Sequence, residues 1–506
     1  MGNNNDIINN KSKGNCDMLI NEIRSLKENN LIEFKKAKGG LPKSLWESYS
    51  AFANTNGGVI VLGIDEPQKN MFISGKLTDF EVEELQKSFW DNINNSNKIN
   101  VNILVDKDVY IDEYDGYPIL VIKIRRANRF EKPVYINNNV YNGTYRRNHQ
   151  GDYHCTKAEV DLMIKDSSNQ SNDKTCLEEF TIEDFDLGSI SSYKQMLKAS
   201  NPSHIFLTMT DEQFYLNLGI IKKDKNGVLH PTRAGLLMFG KEYRITDEFS
   251  HYFLDYQDHR IETPEIRWID RVQSSSGDWS GNVFDFFFKV YNKMIQGLSI
   301  PFKLDGAIRV DDTEMHRAVR EALCNALTNA DYYGTRGVVI KKYNDRIEFS
   351  NPGSMRMSIE EAYEGGNTDP RNETILKIFS LIKIGERAGT GIQTILNAVK
   401  IFGYRDPIIE ESFNPDRTTL TIFLELKDNL QSIYSNSQNI VVKKLSYDEE
   451  KAFALFKDKK EITRKDLEES LKYGKTKCNN ILKKLLDKGV ILKIDSGKNI
   501  KYVEKN

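Results

Sequence analysis

The segment REALCNALTNADYYG, residues 320–334, predicts a helix with one polar stripe on an otherwise apolar surface. The stripe follows the i, i+4, i+7, i+8 spacing of a single helix face and consists of Glu321, Asn325, Thr328 and Asn329. The positions between them carry core-forming residues, namely Ala322, Leu323, Cys324, Ala326 and Leu327. Such a helix must be packed on most of its surface. Its polar face must then meet either a cavity or the loops that neighbour it in the core.

The elements after this helix predict an α/β sandwich. GVVIKKYNDRIEFSNPGS, residues 337–354, alternates as two strands of a hairpin that ends in an Asn-Pro-Gly turn. A loop and a helix follow, then Gly-Thr-Gly at 389–391 opens another helix, and TTLTIFLEL, 418–426, is a last strand. This order predicts a cavity between the striped helix and the loop.

These motifs resemble the GHKL ATPase superfamily, in the branch known as RecG-like carboxy-terminal. The resemblance implies that Glu321 activates the attacking water and that Asn325 coordinates the magnesium of bound ATP. It also implies a group of nucleotide-contacting positions, namely Asn329, Asn351, Gly353, Gly389, Thr390 and Gly391. Two departures from the family pattern are that FSNPGS has no adenine-reading aspartate and that Asn329 replaces a histidine. Two alternatives stay open, namely that the domain hydrolyses ATP and that it binds ATP as a sensor without hydrolysis.

The amino-terminal block predicts a strand, a helix and a buried strand, over LIEFKKA, PKSLWESYSAFANT and GGVIVLGI. Carboxylates and a lysine lie on or beside the two strands, namely Glu28, Glu33, Lys35 and Asp65, with Glu66 as an alternative to Asp65. Carboxylates that meet from neighbouring strands are suited to bind a divalent metal. The alternative is that Glu33 and Lys35 form an ion pair on a solvated edge.

This block resembles the AlbA_2 domain of the Schlafen type, through EFK, the helix end SAFANT-GG and LGIDE. The resemblance implies nucleic-acid binding. The resemblance to some Schlafen relatives also implies a nuclease that binds Mg²⁺ or Mn²⁺ through carboxylates at the positions of Glu28, Glu33 and Asp65. A basic, aromatic surface suited to single strands or RNA is expected from Arg126, Tyr145, Arg146, Arg147 and His149.

The carboxy-terminal segment predicts a winged helix-turn-helix, with three helices followed by a hairpin whose turn is at 495–497. From residue 457 onward it carries fifteen Lys and Arg against eight Asp and Glu. Lys475, Lys477 and Lys483 lie on the third helix and suit contacts to nucleic-acid phosphates. The alternative is a winged helix used only for packing or dimerisation.

Two polar linkers, 165–175 and 427–439, divide the 506 residues. We expect an α/β (α+β) multidomain chain with an AlbA_2-like domain at 17–165, a bridge at 178–300, a GHKL-like domain at 301–426 and a winged helix at 445–506. No apolar run reaches the roughly 18 residues of a membrane span. The five cysteines lack CxxC spacing, which favours a cytoplasmic location. No P-loop motif occurs, which argues against a helicase motor.

The leading functional hypothesis is a homo-oligomeric, nucleotide-gated nucleic-acid-binding protein, with ATPase and metal-dependent nuclease as candidate activities. By analogy with this architecture it would serve prokaryotic anti-phage defence. The alternative is a non-enzymatic transcriptional regulator that senses nucleotide and binds DNA through the winged helix. The sequence leaves DNA and RNA open as partners.

Overall fold

The structure is a computed structural model that describes residues 31–64, 76–148 without 115, 151–168, 171–261, 267–298, 304–305, 308–309, 312–385, 389–426 without 414, and, in the tail, 452–453, 455, 462–471, 473–487, 491–494 and 501–504. The chain divides into two units, Met1–Leu424 and Glu425–Asn506, and each is described by itself. The mixed α/β fold class predicted from the sequence is confirmed. Among the described residues, none of the helices has the length and apolar character needed to cross a membrane.

The amino-terminal part of the first unit comprises β1 (Ile32–Lys35), α1 (Leu45–Asn54), β2 (Gly58–Leu62), α2 (Asp79–Ile93), β3 (Val109–Tyr114), β4 (Tyr117–Ile124), β5 (Tyr145–Asn148), β6 (Gly151–His154) and α3 (Lys157–Asp166). The middle part comprises α4 (Leu187–Ser200), α5 (Asp211–Leu218), β7 (Ile221–Lys223), β8 (Leu229–Pro231), α6 (Arg233–Phe239), α7 (Glu242–Glu248), β9 (Leu254–Asp258), β10 (Asp270–Gln273) and α8 (Val283–Met294). The last part comprises β11 (Leu304–Asp305), β12 (Ile308–Arg309), α9 (Glu314–Asn329), β13 (Val338–Lys342), β14 (Arg346–Pro352), α10 (Ile359–Glu364), α11 (Glu373–Leu381), α12 (Gly391–Ile401), β15 (Ile408–Ser412) and β16 (Arg417–Phe423).

The amino-terminal sheet has the strand order β1-β2-β4-β3, in which only β1 and β2 are parallel. Parallel neighbours need a crossover, and α1 provides it. Helix α1 contacts β2, β4, β5 and β6, so its sequence is buried nearly throughout. Its polar side chains Ser50 and Asn54 donate to the Val134 carbonyl at 2.7 and 2.8 Å. The strand, helix and strand predicted within residues 31–64 are confirmed.

The middle part shares one hydrophobic core with the last part of the first unit. The aromatic side chains predicted to be core are buried, among them Phe214, Phe239, Phe284 and Phe287. Strands β9 and β10 join the sheet of the last part, whose order is β10-β9-β13-β14-β16-β15. The domain boundary predicted between residues 300 and 301 therefore does not separate two hydrophobic cores.

Helix α9 is the striped helix, and it packs against α12, α11, α8 and β14. It begins at a capping box in which the Thr313 hydroxyl accepts from the backbone N–H of His316. The predicted core positions Ala322, Leu323, Cys324 and Leu327 are completely buried, and Ala326 is nearly so. The helix ends at Asn329, so the tyrosines of the segment lie beyond its end.

The second unit contains α13 (Arg464–Leu471), α14 (Lys475–Asp487), β17 (Ile462–Thr463), β18 (Ile491–Lys493) and β19 (Lys501–Glu504). The strands form one sheet in the order β17-β19-β18. The core includes the predicted inward residues Ile481, Leu482 and Leu485, with Leu486 packed against it. The predicted hairpin pairs β18 with β19, and its turn lies outside the described residues.

Buried ion pairs join the amino-terminal part to the last part of the first unit. Asp166, the last residue of α3, binds Arg371 Nη2 through Oδ2 at 2.7 Å and Arg356 Nη2 through Oδ1 at 3.1 Å. Burial alone would raise the pKa of Asp166, but the two guanidinium groups outweigh burial and hold its pKa at about 2. The charged form of Asp166 is therefore strongly favoured in the folded chain.

We expect Asp166→Asn to lower the free energy of unfolding at pH 7 by about 3 kcal/mol, because it removes the carboxylate that two buried guanidinium groups share. The carboxyl pKa rises from about 2 when folded to 3.8 when unfolded. The stabilisation is therefore present above pH 3.8 and is lost as the pH falls towards 2. Denaturant unfolding at pH 7 and pH 3 measures whether the difference between wild type and variant shrinks.

The control for this variant is Asp345→Asn, which removes a half-exposed partner of Arg346. It should change the free energy of unfolding by less than about 1 kcal/mol, as expected for a surface pair. If the free energies of unfolding of wild type and Asp166→Asn differ by the same amount at pH 7 and pH 3, the low pKa of Asp166 is contradicted.

Candidate nucleotide-binding cavity

A cavity of about 960 Å³, including the space at its open mouth, lies beside the polar stripe of α9. Six of the residues predicted to contact nucleotide line it, namely Glu321, Asn325, Asn329, Asn351, Gly389 and Gly391. Thr328 belongs to the stripe but is buried, and its hydroxyl donates to the Cys324 carbonyl at 2.9 Å. The stripe therefore faces a cavity through its carboxylate and its two amides.

The sheet forms an apolar side of this cavity with polar groups next to it. Directly paired residues of antiparallel strands project from the same face. One row of pairs is apolar and lines the cavity, namely Phe349, Leu420 and Ile409. The neighbouring row is polar and consists of Asn351, Thr418 and Glu411, of which the first two line the cavity. Such a surface accepts the face of a flat ring and offers hydrogen bonds to its edge.

The glycine turn at 389–391 brings the start of α12 against α9. A Cβ atom on Gly391 would lie 2.4 Å from Glu321 Oε1 and 2.9 Å from Asn325 Nδ2. Gly389 has φ +67°, and its Cβ would lie 2.5 Å from the Asn367 carbonyl oxygen. Thr390 is the N-cap residue between them. The backbone at the start of α12 therefore lies beside the carboxylate and the amide of α9, and a side chain at position 391 would have to displace them. At Gly389 the positive φ and the close backbone of Asn367 favour glycine.

Three charged residues of the cavity wall were not predicted from the sequence, namely Arg356, Asp369 and Arg371. Arg371 donates to the carbonyl oxygens of Asn329 at 2.6 Å and Ser354 at 3.0 Å. Gly353 makes room for it, since a Cβ there would lie 2.6 Å from Arg371 Nη1. These residues lie in loops without hydrophobic periodicity, and the only signal is the concentration of charge in TDPRNE.

The cavity residues fit a magnesium nucleotide. Within the described residues, no group of three or more His, Cys, Asp or Glu is arranged to hold a metal. Magnesium in nucleotide sites needs only one or two protein groups, because phosphate oxygens and water supply the other ligands. Glu321 and Asn325 offer a carboxylate and an amide oxygen one helical turn apart on the cavity wall.

The carboxylate of Glu33 in the amino-terminal domain is paired with two cations. Its Oε1 lies 2.9 Å from Lys35 Nζ, and its Oε2 lies 2.8 Å from Arg147 Nη2. The predicted partners Glu28 and Asp65 lie outside the described residues. Glu33 and Lys35 thus form the ion pair that the sequence analysis considered as the alternative, although their side chains are nearly buried and not on a solvated edge. Metal binding by Glu28, Glu33 and Asp65 stays a prediction.

Two of the three arginines expected on a nucleic-acid surface, Arg146 and Arg147, are buried. Arg147 also pairs with Asp152 at 2.9 Å, and Arg146 pairs with Glu159 and with Asp416, the latter at 3.0 Å. Both residues are at most 5% exposed, so the expected basic surface does not form at these positions. The three lysines of α14 differ from them in being exposed: Lys475, Lys477 and Lys483.

Comparison with protein families assigns three stretches of the chain. Residues 28–156 match the Schlafen AlbA_2 family, and residues 335–422 match the family described as ATP-dependent DNA helicase RecG C-terminal. Residues 161–255 match DUF8451, a domain of unknown function. The chain thus contains one domain that matches the Schlafen AlbA_2 family and one that matches the RecG C-terminal family. The second match begins after α9, so Glu321 and Asn325 lie outside it.

Curated protein sequences give no match to this chain. Among solved structures, the DIP2311 protein from Corynebacterium diphtheriae is 16% identical, with a TM-score of 0.38, and the match covers 96% of this chain and 84% of that one. The N-terminal domain of a RecG-related ATP-dependent DNA helicase protein from Nitrosomonas europaea is 25% identical, with a TM-score of 0.21. That match covers 27% of this chain and 90% of the other.

We expect Gly391→Ala to weaken nucleotide binding by at least about tenfold, or about 1.4 kcal/mol. The new Cβ would displace the Glu321 carboxylate and the Asn325 amide, which lie 2.4 and 2.9 Å from its position. Titration with a fluorescent ATP analogue measures the affinity. Gly474→Ala is the control, because a Cβ at Gly474 meets no atom within 4 Å. Equal affinities of wild type and Gly391→Ala would contradict this assignment.

Proposed function

We propose that this chain binds ATP with magnesium in the cavity beside α9 and that the bound nucleotide controls nucleic-acid binding. The observation that carries the proposal is the convergence of Glu321, Asn325, Gly389 and Gly391 on one cavity. The carboxylate and amide come from one helix and the glycine turn opens another, and all four residues border the same space. The family matches agree with a nucleotide-binding domain and a nucleic-acid-related domain in one chain.

Each cavity residue has a defined role in this proposal. Magnesium bound with the nucleotide neutralises phosphate charge and polarises the phosphoryl group. Asn325 supplies a protein oxygen to it, and backbone amides at the start of α12 donate to phosphate oxygens. Glu321 orients a water molecule and accepts its proton. The apolar row on the sheet packs against the base.

Nucleic-acid contact is proposed for the AlbA_2 domain and for the exposed lysines of α14. In the AlbA_2 domain the contact must use residues other than Arg146 and Arg147, since both are buried in ion pairs. The lysines of α14 follow the shorter helix α13 and precede the β18–β19 pair, an order typical of a winged helix.

A second candidate function is a nucleotide-sensing regulator that binds duplex DNA through α14 and does not hydrolyse ATP. The exposure of Lys475, Lys477 and Lys483 on one short helix favours it. The two candidates differ in whether Glu321 acts chemically.

Asn325→Ala is expected to weaken magnesium-dependent ATP binding by about 10- to 100-fold, through loss of a metal ligand. Glu321→Gln is expected to retain ATP binding and to lose about 100-fold or more in hydrolysis, because the amide cannot accept the proton. Isothermal titration measures binding, and phosphate release measures turnover. Binding without turnover in wild type would favour the regulator, and absence of binding in wild type would overturn the proposal.

Replacing Lys475 and Lys483 together by Ala should weaken nucleic-acid binding and reduce the salt dependence of log Kd by about 1 per lost phosphate contact. Labelled single-stranded DNA, duplex DNA and tRNA, each with and without ATP, would be titrated at several salt concentrations. Lys198→Ala with Lys225→Ala is the matched control, since both lysines are exposed in the first unit. Equal salt slopes for the two double variants would exclude α14 as the contact, and shortened substrates would reveal nuclease activity.

A further inference from the structure

One wall of the nucleotide cavity is an irregular segment between β14 and α10. Ser354, Met355, Arg356 and Met357 line the cavity, and the segment that contains them is neither helix nor strand. A segment of this kind has no backbone ladder of its own, so its polar groups need partners from elsewhere. Its position therefore depends on the groups that satisfy it.

The peptide groups of Met355 are held by one ion pair that spans two domains. The Met355 N–H donates to Glu411 Oε1 at 2.7 Å, and the Met355 carbonyl accepts from Arg126 Nη2 at 2.8 Å. Arg126 and Glu411 also pair with each other. The Glu411 side chain is only 1% exposed and that of Arg126 is 10% exposed. The AlbA_2 domain thus supplies one half of this clamp, and the ATPase domain supplies the other half.

Arg126 is itself anchored at the end of helix α1. It follows β4, and the backbone N–H of the next residue, Ala127, donates to the Ala53 carbonyl at 2.8 Å. Two hydrogen bonds therefore connect the SAFANT stretch to the cavity wall, one from Ala127 to Ala53 and one from Arg126 to Met355. A displacement of this helix end would move the guanidinium group of Arg126.

The same wall separates the nucleotide cavity from a cleft between the two domains. Ser354, Met355 and Arg356 line both spaces. The cleft is also lined by Arg126 and Asp166, and Asp166 binds the side chain of Arg356. A single chain segment therefore separates the nucleotide cavity from the groups of the amino-terminal half that line the cleft.

We propose that Arg126 of the AlbA_2 domain is a positioning residue for the nucleotide cavity, so that this domain completes the wall against which the nucleotide binds. The inference rests on the proposed nucleotide binding and names the contact through which that binding reaches the AlbA_2 domain. Coupling between two sites is reciprocal. Nucleotide bound against the wall therefore strengthens the clamp by the same factor by which the clamp strengthens nucleotide binding.

The test compares Arg126→Ala with Arg125→Ala in the full-length chain. The side chain of Arg125 is half exposed and pairs with Glu131 inside its own domain, which makes it a matched control. Arg126→Ala should weaken binding of ATP with magnesium by about tenfold, within the usual range of coupling between sites. Arg125→Ala should stay within about twofold, a change below 0.5 kcal/mol. Glu411→Ala removes the acceptor of the Met355 N–H together with the partner of Arg126, and it should match Arg126→Ala.

Hydrogen exchange separates positioning from a merely structural role. In wild type, ATP with magnesium should slow amide exchange both at residues 353–357 and at residues 125–129. In Arg126→Ala the nucleotide-dependent slowing at residues 353–357 should be lost, and Arg126→Lys, which keeps the charge, should recover part of it. A structural role would instead lower the melting temperature and leave these nucleotide-dependent differences unchanged.

The outcomes distinguish this inference from the proposed function. Wild type that binds no ATP analogue would overturn both. Wild type that binds, together with an Arg126→Ala variant of equal affinity, would overturn the role of Arg126 alone. If Arg126→Ala does not fold, the wild-type exchange experiment decides, because an absence of nucleotide-dependent change at residues 125–129 contradicts the coupling.

Discussion

Buried ion pairs between the amino-terminal part and the last part of the first unit position the loops that surround the cavity beside α9. A charge removed from water must be paired, because an unpaired one costs several kcal/mol. Asp166 therefore fixes two guanidinium groups, and Glu411 fixes Arg126 together with the backbone of Met355. The loops carry no regular hydrogen bonding of their own, so their geometry depends on these charges.

Helix α9 belongs to the core and to the site at once. Its buried face packs against α12, and this packing places the glycine turn against Glu321 and Asn325. Gly385 approaches this helix so closely that a Cβ on it would lie 2.6 Å from Cys324 Sγ. A change in the core around Cys324 would thus displace the groups proposed to bind nucleotide. The same helix thus contributes to the stability of the fold and to the proposed nucleotide site.

The use of charge differs between the two units of the chain. In the first unit, Arg126, Arg146 and Arg147 form ion pairs with carboxylates of the same unit. In the second unit, Lys475 and Lys483 are exposed. A basic residue contacts phosphate only if its charge reaches solvent. Counting Lys and Arg along the sequence therefore overestimates the basic surface of the first unit at these positions, whereas the exposed lysines of the second unit meet this condition.

The sequence by itself determined the local elements and the polar face of α9. Helical spacing and glycine placement report which side of an element is buried and where backbone must approach closely. The sequence could not determine which distant charges pair, and only the tertiary structure decided this. Arg126 and Glu411 are 285 residues apart, and Arg146 and Asp416 are 270 apart. No periodic pattern connects such positions, because their proximity results from how whole domains pack.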